Sequence, residues 1–555
     1  MKLSNLISKN NLIFLLPVLS GILLILAYPP YDLEFLVWIA LIPLFYFLGI
    51  KSVSNKKILP TGRQAFWGGV ITGIVFLGLV FTWLLKTAPF DWLGIAAGKE
   101  SWPMYILLAI LWIIQVGFLS LFLGFFAWTY KKIVDLQFSN FLLLIIVPSL
   151  WVIIEYLRAW GFGIIWLGKE TLFGSHWTFG NLAYTLHDSS AFIQFADIGG
   201  IYGISFLIVL VNTIILWLFR LLKDKDRKKN SSQIFIFVLI LILIVSLWHG
   251  YGIYKLKSEN IGKAIKIALI QTDFASSFKP NPYQREEVYR AVLKLFQEPE
   301  SIQQNPDFII APEGFGLVSL TKNIEIAKYL IKDFWKPGQI FLENQRIIDE
   351  NGKKKSRLFY YDLDQKNPIA FHDKMLLVPN GDYLPYITKF ILAIYSFNAD
   401  FEEKLFQRGE KNDVAQTEKG VIGAGICSSI LSPNLNRQLS QKGAQILMVV
   451  SSDAPFHKAK NLLAQNLAMS QLRAIENRRY FAQATNMGYS FLINPNGQIE
   501  IKSSDFGNKI IFSDAQLINI KTIYTKFGDW IIILAFLILL IFIILKRLST
   551  EHRMY

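Results

Sequence analysis

Three residues in one polar stretch could together perform nucleophilic catalysis. A carboxylate, Glu313, ends the apolar run FIIAPE; an ammonium, Lys374, ends PIAFHDK; and a thiol, Cys427, ends VIGAGIC. Cys427 is the sole cysteine, so it can form no internal disulfide and its placement is a matter of packing or chemistry. A thiol is only a few per cent ionised at neutral pH, and a cysteine nucleophile therefore needs a base or a positive neighbour. Glu313 could take the proton, while Lys374 could lower the thiol pKa and stabilise an oxyanion. Taken singly, a cysteine in an apolar strand is more often a small buried hydrophobe, and a lone Glu or Lys a surface residue.

The elements around these residues decide between the two readings. Between residues 262 and 525, short β-type runs alternate with helix-type stretches. IKIALIQ is followed by a helical stretch from Pro282 to Phe296 and then by DFIIAPE. Later come QILMVVSSD, the helical LLAQNLAMSQLRAIENRR, YFAQAT, and YSFLINPNGQIEI with a hairpin turn at Asn496-Gly497. The pattern predicts an α/β domain with some antiparallel pairing, long enough for its own core. In such folds reactive side chains gather where strands end and loops begin, which is where Glu313, Lys374 and Cys427 stand. The Lys-rich run from Lys353 to Lys355 reads as a solvated turn. There is no internal repeat or low-complexity tract.

The rest of the chain is apolar. With 53% hydrophobic residues among 555, it reads as a multi-pass membrane protein, and about eight segments are candidates to cross a hydrocarbon core roughly 30 Å thick. They run from about Leu12 to Tyr28, Phe35 to Ile50, Ala65 to Leu85, Met104 to Tyr130, Phe138 to Tyr156, Gly203 to Leu222, Ile234 to Tyr251 and Trp530 to Leu545. Lys2 and Lys9 before the first segment suggest a signal peptide, but LAYPPYD lacks a small-x-small cleavage pattern, so a retained helix is expected.

Lys and Arg concentrate in alternate loops. Lys51, Lys56, Lys57 and Arg63 follow the second segment, Lys131 and Lys132 the fourth, Arg220, Lys223, Lys225, Arg227, Lys228 and Lys229 the sixth, and Lys546, Arg547 and Arg553 the eighth. The other loops are poorer, with Lys86, Lys99, Arg158 and Lys169. Both termini are thus expected in the cytoplasm and the α/β domain outside it. The net charge of +15 fits anionic headgroups beside the spans and calls for no nucleic acid. The six His are scattered and form no zinc pattern, so no metal or organic cofactor is expected. Glu155 and Arg158 read as a structural ion pair ahead of a lipid-headgroup site.

Ala311-Pro312-Glu313, HDKMLLVPNGDYLP, the cysteine after a Gly-containing strand and AMSQLRAIENRRYFAQATNMGYS together resemble the Glu-Lys-Cys carbon-nitrogen hydrolase (nitrilase) family. The membrane part narrows this to the bacterial apolipoprotein N-acyltransferases, which SGILLILAYPPYDLEFLVWIALIPL, PSLWVIIEYLRAWGFG, GGIYGISFLIVLVN and TIYTKFGDW resemble. The resemblance implies a multi-pass α-helical membrane domain over residues 1–261. A nitrilase-like αββα sandwich over 262–525 and a last helix with cytoplasmic tail over 526–555 complete the expected organisation. It implies residence in the bacterial cytoplasmic membrane, with the sandwich on the periplasmic side.

It also implies roles. Cys427 is the expected nucleophile, Glu313 the general base and Lys374 the oxyanion stabiliser. The acyl donor would be a phospholipid, the acceptor the α-amino group of a diacylglyceryl-modified apolipoprotein, and the reaction a ping-pong transfer through a thioester. The chain departs from the family at several expected substrate-binding or supporting positions. Ser428-Ser429 replaces Tyr-Glu after the nucleophile, and Gly381-Asp382 replaces Gly-Glu. Ser356-Arg357 stands for Asn-Ser, Pro280 for Trp, and Ser452-Asp453-Ala454-Pro455 for Asn-Asp-Ala-Trp. These changes leave open a membrane amidase or esterase, another acceptor, or a catalytically silent lipid-binding paralogue.

Overall fold

The computed structural model describes residues 14–49, 60–88, 102–136, 139–169, 171, 176–224, 230–258, 261–274, 282–394 and 405–551. Lys2, Lys9, Lys51, Lys56, Lys57, Lys99, Lys225, Arg227, Lys228, Lys229, Pro280 and Arg553 lie outside them.

The first half is helical: α1 (Leu15–Leu26), α2 (Ile42–Leu48), α3 (Gly62–Val80), α4 (Trp102–Asp135), α5 (Asn140–Ile165), α6 (Ala196–Lys223) and α7 (Ser231–Leu256). The α3 helix opens on a capping box in which Thr61 and Gln64 satisfy each other's backbone N–H. Among the described residues five stretches, Gly62–Thr87, Trp102–Asp135, Asn140–Ile165, Phe192–Lys223 and Ser231–Leu256, are long and apolar enough to cross a membrane by length and composition. At the other three expected spans the described apolar helical stretches are Leu15–Leu26, Glu34–Leu48 and Trp530–Lys546, the last being the apolar part of a helix that continues to Glu551. In the second, Pro43 sits in the first turn of α2, a place where proline starts a helix and does not continue one. The sixth expected span begins earlier than the hydropathy suggested, and its helix is interrupted at Gly200, whose φ of +60° is left-handed. A Cβ there would lie 2.6 Å from the ring of Tyr524.

The second half is a two-sheet sandwich. Its helices are α8 (Pro282–Gln297), α9 (Pro299–Gln303), α10 (Leu317–Thr321), α11 (Ile324–Leu330), α12 (Tyr386–Ile394), α13 (Pro433–Gln441) and α14 (Lys460–Asn477), followed by α15 (Ile523–Phe527) and the apolar α16 (Trp530–Glu551). The first sheet contains β1 (Lys263–Gln271), β2 (Phe308–Ile310), β3 (Ile340–Ile348), β4 (Lys354–Tyr361) and β5 (Ala370–Asp373). The second contains β6 (Ala415–Gln416), β7 (Val421–Ile426), β8 (Ile446–Ser452), β9 (Phe481–Asn486), β10 (Phe491–Ile493) and β11 (Ile499–Lys502). The last strand, β12 (Lys509–Leu517), returns to the edge of the first sheet, so the strand orders are β12-β1-β2-β3-β4-β5 and β11-β10-β9-β8-β7-β6. In each sheet the centre is parallel: β1, β2 and β3 in one, β7, β8 and β9 in the other.

Alternation along the strands builds three layers of core. Ile267, Leu269, Ile310, Ile426 and Val450 face each other between the sheets. Ala268, Ile270, Ile309 and Phe341 point outward to Phe296 and Phe334 of the covering segments. On the other side, Leu447, Val449 and Phe481 meet α13 and α14, and that layer is continuous with the core of the helical half. The α14 helix is therefore enclosed on both sides, and its Arg473 and Glu476 are fully buried as an ion pair at 3.0 Å.

One expectation is corrected and one is extended. Lys355 is not in a solvated turn: it lies in β4, buried, and its Nζ donates to the Arg408 carbonyl at 2.7 Å. The alternation of the strand decides its facing, and the basic run by itself does not. Glu155 and Arg158 are both buried, but their hydrogen bonds go to the loop between α5 and α6. Glu155 Oε1 accepts from the Leu182 N–H at 2.8 Å, and Arg158 donates to the Phe179 carbonyl at 2.8 Å. A buried loop must find partners for its backbone, and these two side chains supply them.

Candidate active site

The parallel centres of the two sheets aim the C-terminal ends of β2, β7 and β8 at one place. Glu313 follows β2, Cys427 directly follows β7, and Asp453 directly follows β8. Lys374 directly follows β5, which runs antiparallel to β4 at the far edge of its sheet. A backbone bond from Glu313 N–H to the Ser451 carbonyl, 3.2 Å, ties the two sheets together at the site.

Lys374 is the centre of the constellation. It is 2% exposed, and its Nζ lies 2.9 Å from Asp382 Oδ2 and 3.3 Å from Glu313 Oε1. Burial alone would push the ammonium's pKa down, but Asp382, Glu313 and Cys427 outweigh it and hold the pKa above the ordinary lysine value. Lys374 is therefore a fixed cation within reach of an anion formed beside it. Asp382 also accepts the Val378 N–H at 2.8 Å, closing the turn after the lysine. It thus serves both as a turn residue and as a charge partner.

Cys427 occupies the first position of a 3-10 turn, Cys427–Leu431, with φ of +47°. Such a conformation is uncommon for a residue with a side chain and persists only where the surroundings enforce it. Here they do. Ser428 Oγ donates a short hydrogen bond to the Leu376 carbonyl, pinning the turn to the loop after Lys374. Ser429 is buried with its hydroxyl folded back on the strand, so close that a Cβ at Gly425 would lie 2.2 Å from its Oγ. Thr178, from the loop between α5 and α6, donates to the Leu431 carbonyl at 2.8 Å and links the turn to the helical half.

Burial pushes the Cys427 thiol up to about 12; Lys374 pulls it down, and Glu313 and Asp453 push it further up. A shift in this direction favours the protonated thiol, so a nucleophilic role would need a base to remove the proton as the bond forms. Asp453 is itself raised to about 7, by burial first and by the nearby Glu313 as well, against a weak contact from Thr485. Its N–H bonds the Asn486 carbonyl at 2.9 Å, and Gly488 makes room for it: a Cβ there would stand 2.3 Å from Oδ2.

Lys374, Glu313 and Asp382 are thus in direct contact, and Cys427 and Asp453 share their electrostatic environment. Ser428 and Ser429 shape the turn that carries Cys427. One residue passed over in the sequence is Glu343 on β3. It is fully buried, raised to about 7 by burial despite backbone N–H donors, and accepts Val318 and Ser319 N–H at 2.8 and 3.2 Å. It thereby holds the turn that follows Glu313. A glutamate inside the apolar run IFLEN was the available signal. The structure also gathers Asp32, His187 and Asp188, with ligand atoms within 4.8 Å of one another. His187 is already engaged there, by Asp32 at 3.0 Å and Gln471 at 3.0 Å.

The profile of the apolipoprotein N-acyltransferase N-terminal domain matches residues 20–214, and that of carbon-nitrogen hydrolase matches residues 266–524. A sandwich of the carbon-nitrogen hydrolase kind, set among apolar helices long enough to cross a membrane, is the class that fold and site define. The apolipoprotein N-acyltransferase of Geobacter metallireducens is 26% identical over 532 residues, covering 93% of this chain and 92% of its own. That of Aquifex aeolicus is 27% identical, covering 89% and 97%. Apolipoprotein N-acyltransferase 1 of Treponema denticola is 25% identical, covering 97% and 98%. The chain belongs to the apolipoprotein N-acyltransferase family.

Proposed function

We propose that this protein transfers an acyl chain from a membrane phospholipid, through a thioester on Cys427, to the α-amino group of a lipidated N-terminal cysteine of an apolipoprotein. The observation that carries the reading is the buried Lys374 ammonium held between Asp382 and Glu313 beside the Cys427 thiol.

In the first half, Cys427 Sγ attacks the ester carbonyl carbon while Glu313 takes the thiol proton. Lys374 stabilises the oxyanion that forms. The tetrahedral intermediate collapses with breakage of the ester C–O bond, Glu313 returns the proton to the departing glycerol oxygen, and a lysophospholipid leaves. In the second half the amine attacks the thioester, Glu313 takes a proton from nitrogen, the C–S bond breaks and the proton returns to sulfur. One acid-base group and one cation serve both halves, so two lipid-anchored substrates can use one site in turn.

The Lys and Arg asymmetry of the loops supports a cytoplasmic-membrane protein with both termini inside and the sandwich, residues 262–525, on the periplasmic face. Residues 1–261 and 526–555 would then be its membrane portions.

Intact-mass measurement of the purified protein after incubation with phospholipid tests the proposal. A hydroxylamine-labile acyl adduct is expected on the wild type and not on Cys427→Ala, with discharge on adding a diacylglyceryl lipopeptide. Discharge by water alone would make the protein an esterase, and absence of any adduct would make it a silent relative.

A further inference from the structure

Asp382 carries the charge that faces Lys374, so whatever fixes Asp382 fixes the lysine's surroundings. The turn that bears it, residues 378–383, is closed mainly on itself. Asp382 N–H donates to the Val378 carbonyl at 2.8 Å, Val378 N–H donates to Asp382 Oδ2 at 2.8 Å, and Asn380 N–H donates to the Tyr383 carbonyl at 2.8 Å. These bonds begin and end within the turn, so they set its shape and not its place. A hydrogen bond weakens steeply as its geometry degrades, and the 2.9 Å contact to Lys374 Nζ therefore needs an anchor outside the turn.

Tyr383, the next residue, supplies one. It is buried, and its hydroxyl donates to the Trp166 carbonyl at 2.6 Å. Trp166 ends α5 and is itself fastened: its N–H donates to the Phe162 carbonyl at 3.3 Å, and its indole N–H to Gln115 Oε1 of α4 at 3.0 Å. The Tyr383 ring packs on Gly168 so closely that a Cβ there would stand 2.8 Å from it. Three residues further along, Tyr386 N–H donates to the Leu167 carbonyl at 2.9 Å, so residues 166–168 are gripped twice. Burial, with the Asp382 charge beside it, raises the Tyr383 phenol above its ordinary pKa, and the hydroxyl keeps the proton it donates. One further bond leaves the turn, from Phe406 N–H to the Asp382 carbonyl at 2.8 Å, and it reaches only another loop of the sandwich.

We propose that Tyr383 is a positioning residue for acyl transfer: its hydroxyl anchors the Asp382 turn to the end of α5, so that the helical half sets the distance between Lys374 and its counter-charge. Tyr383 acts through Asp382 and touches none of the reacting atoms. The kinetic part of the proposal rests on acyl transfer at Cys427; the anchoring part does not. Removing the hydroxyl leaves the buried Trp166 carbonyl without this donor and lets the turn open.

Full-length parent, Tyr383→Phe, Asp382→Asn and the double variant are compared in two assays. Hydrogen exchange by mass spectrometry needs no substrate. Peptides covering residues 375–386 should exchange about tenfold faster in Tyr383→Phe, the effect of one lost hydrogen bond on local opening, while β7 and β8 exchange as in the parent. In single-turnover acylation by phospholipid, Tyr383→Phe should be about tenfold slower at saturating lipid with its half-saturating concentration unchanged, and its alkaline limb should move to lower pH. The double variant should be no slower than Asp382→Asn alone, because the two changes break one chain of contacts. Gln115→Met, which unfastens Trp166 without touching the turn, should give the same pattern at smaller size and carries the test if Tyr383→Phe does not fold. Unchanged exchange at residues 375–386, losses that add in the double variant, or a slower rate with an unmoved alkaline limb would each overturn the proposal. Faster exchange at the turn in a protein whose parent forms no adduct would sustain the anchor and count against acyl transfer.

Discussion

Asp382→Asn is the most informative single change. Asparagine keeps the shape of the side chain and can still accept the Val378 N–H, but it removes the charge 2.9 Å from Lys374 Nζ. A hydrogen bond between charged groups contributes about 1.5–3 kcal/mol, equivalent to roughly 10- to 150-fold in a rate that depends on it. Without Asp382 the ammonium leans on Glu313, now 3.3 Å away, and the base becomes harder to protonate. Single-turnover formation of the Cys427 thioester, followed by intact mass, should therefore slow by about 10- to 100-fold while the fold persists. Asp382→Glu keeps the charge and should stay within a few-fold of the parent.

The pH dependence carries the same logic. The raised pKa of Lys374 contributes stability that is fully present below about pH 10.4, the ordinary lysine value. It is lost as the pH climbs through the higher folded value. Asparagine lowers the folded value, so the alkaline limb of the acylation profile should move to lower pH. An unchanged rate and an unchanged alkaline limb in Asp382→Asn would refute the idea that Asp382 sets the position and charge of Lys374.

Other outcomes follow from the same site. Gly425→Ala places a Cβ 2.2 Å from Ser429 Oγ and must displace the turn carrying Cys427. A melting curve should show a loss of about 1–3 kcal/mol, and acylation should fall with it; a compensating Ser429→Gly should restore both. Asp453 is raised to about 7 by burial, so stability falls as pH rises from its ordinary value of about 3.9 through about 7, where the buried carboxyl must ionise. Asp453→Asn removes that penalty, and its melting temperature relative to the parent should climb between pH 5 and pH 8 in thermal scans at about those two values. Glu313→Gln should abolish the adduct at neutral pH, because it removes the carboxylate that the proposed mechanism uses to take the proton of a thiol raised to about 12, while Asp382 stays committed to Lys374 and the Val378 N–H. For topology, a cysteine introduced at exposed Asn305 in the Cys427→Ala background should react with a membrane-impermeant maleimide in cells with a permeabilised outer layer and intact cytoplasmic membrane. Labelling only after lysis would place the sandwich on the cytoplasmic side.

By itself the sequence determined where the strands β1, β2, β7, β8 and β9 and the helix α14 lie, because alternation and helical spacing are properties of neighbouring residues. It also put Glu313, Lys374 and Cys427 at the ends of runs, where a strand delivers its last side chain to a loop. The apolar segments were legible for the same reason, but not where each helix breaks. At Gly200 the chain turns left-handed, and Tyr524, more than 300 residues later, fills the space a Cβ would need.

Tertiary structure alone decided who meets whom. Lys374 is charged and fixed because Glu313, from another strand, and Asp382, across a turn, both reach its Nζ. Ser429 folds back on Gly425. Glu343 proved to be a brace for the turn after Glu313, and Glu155 and Arg158 to be partners for a buried loop. A residue's neighbours in sequence set its local geometry, but the partners of a buried polar group are chosen by burial itself, which penalises every donor and acceptor left without one.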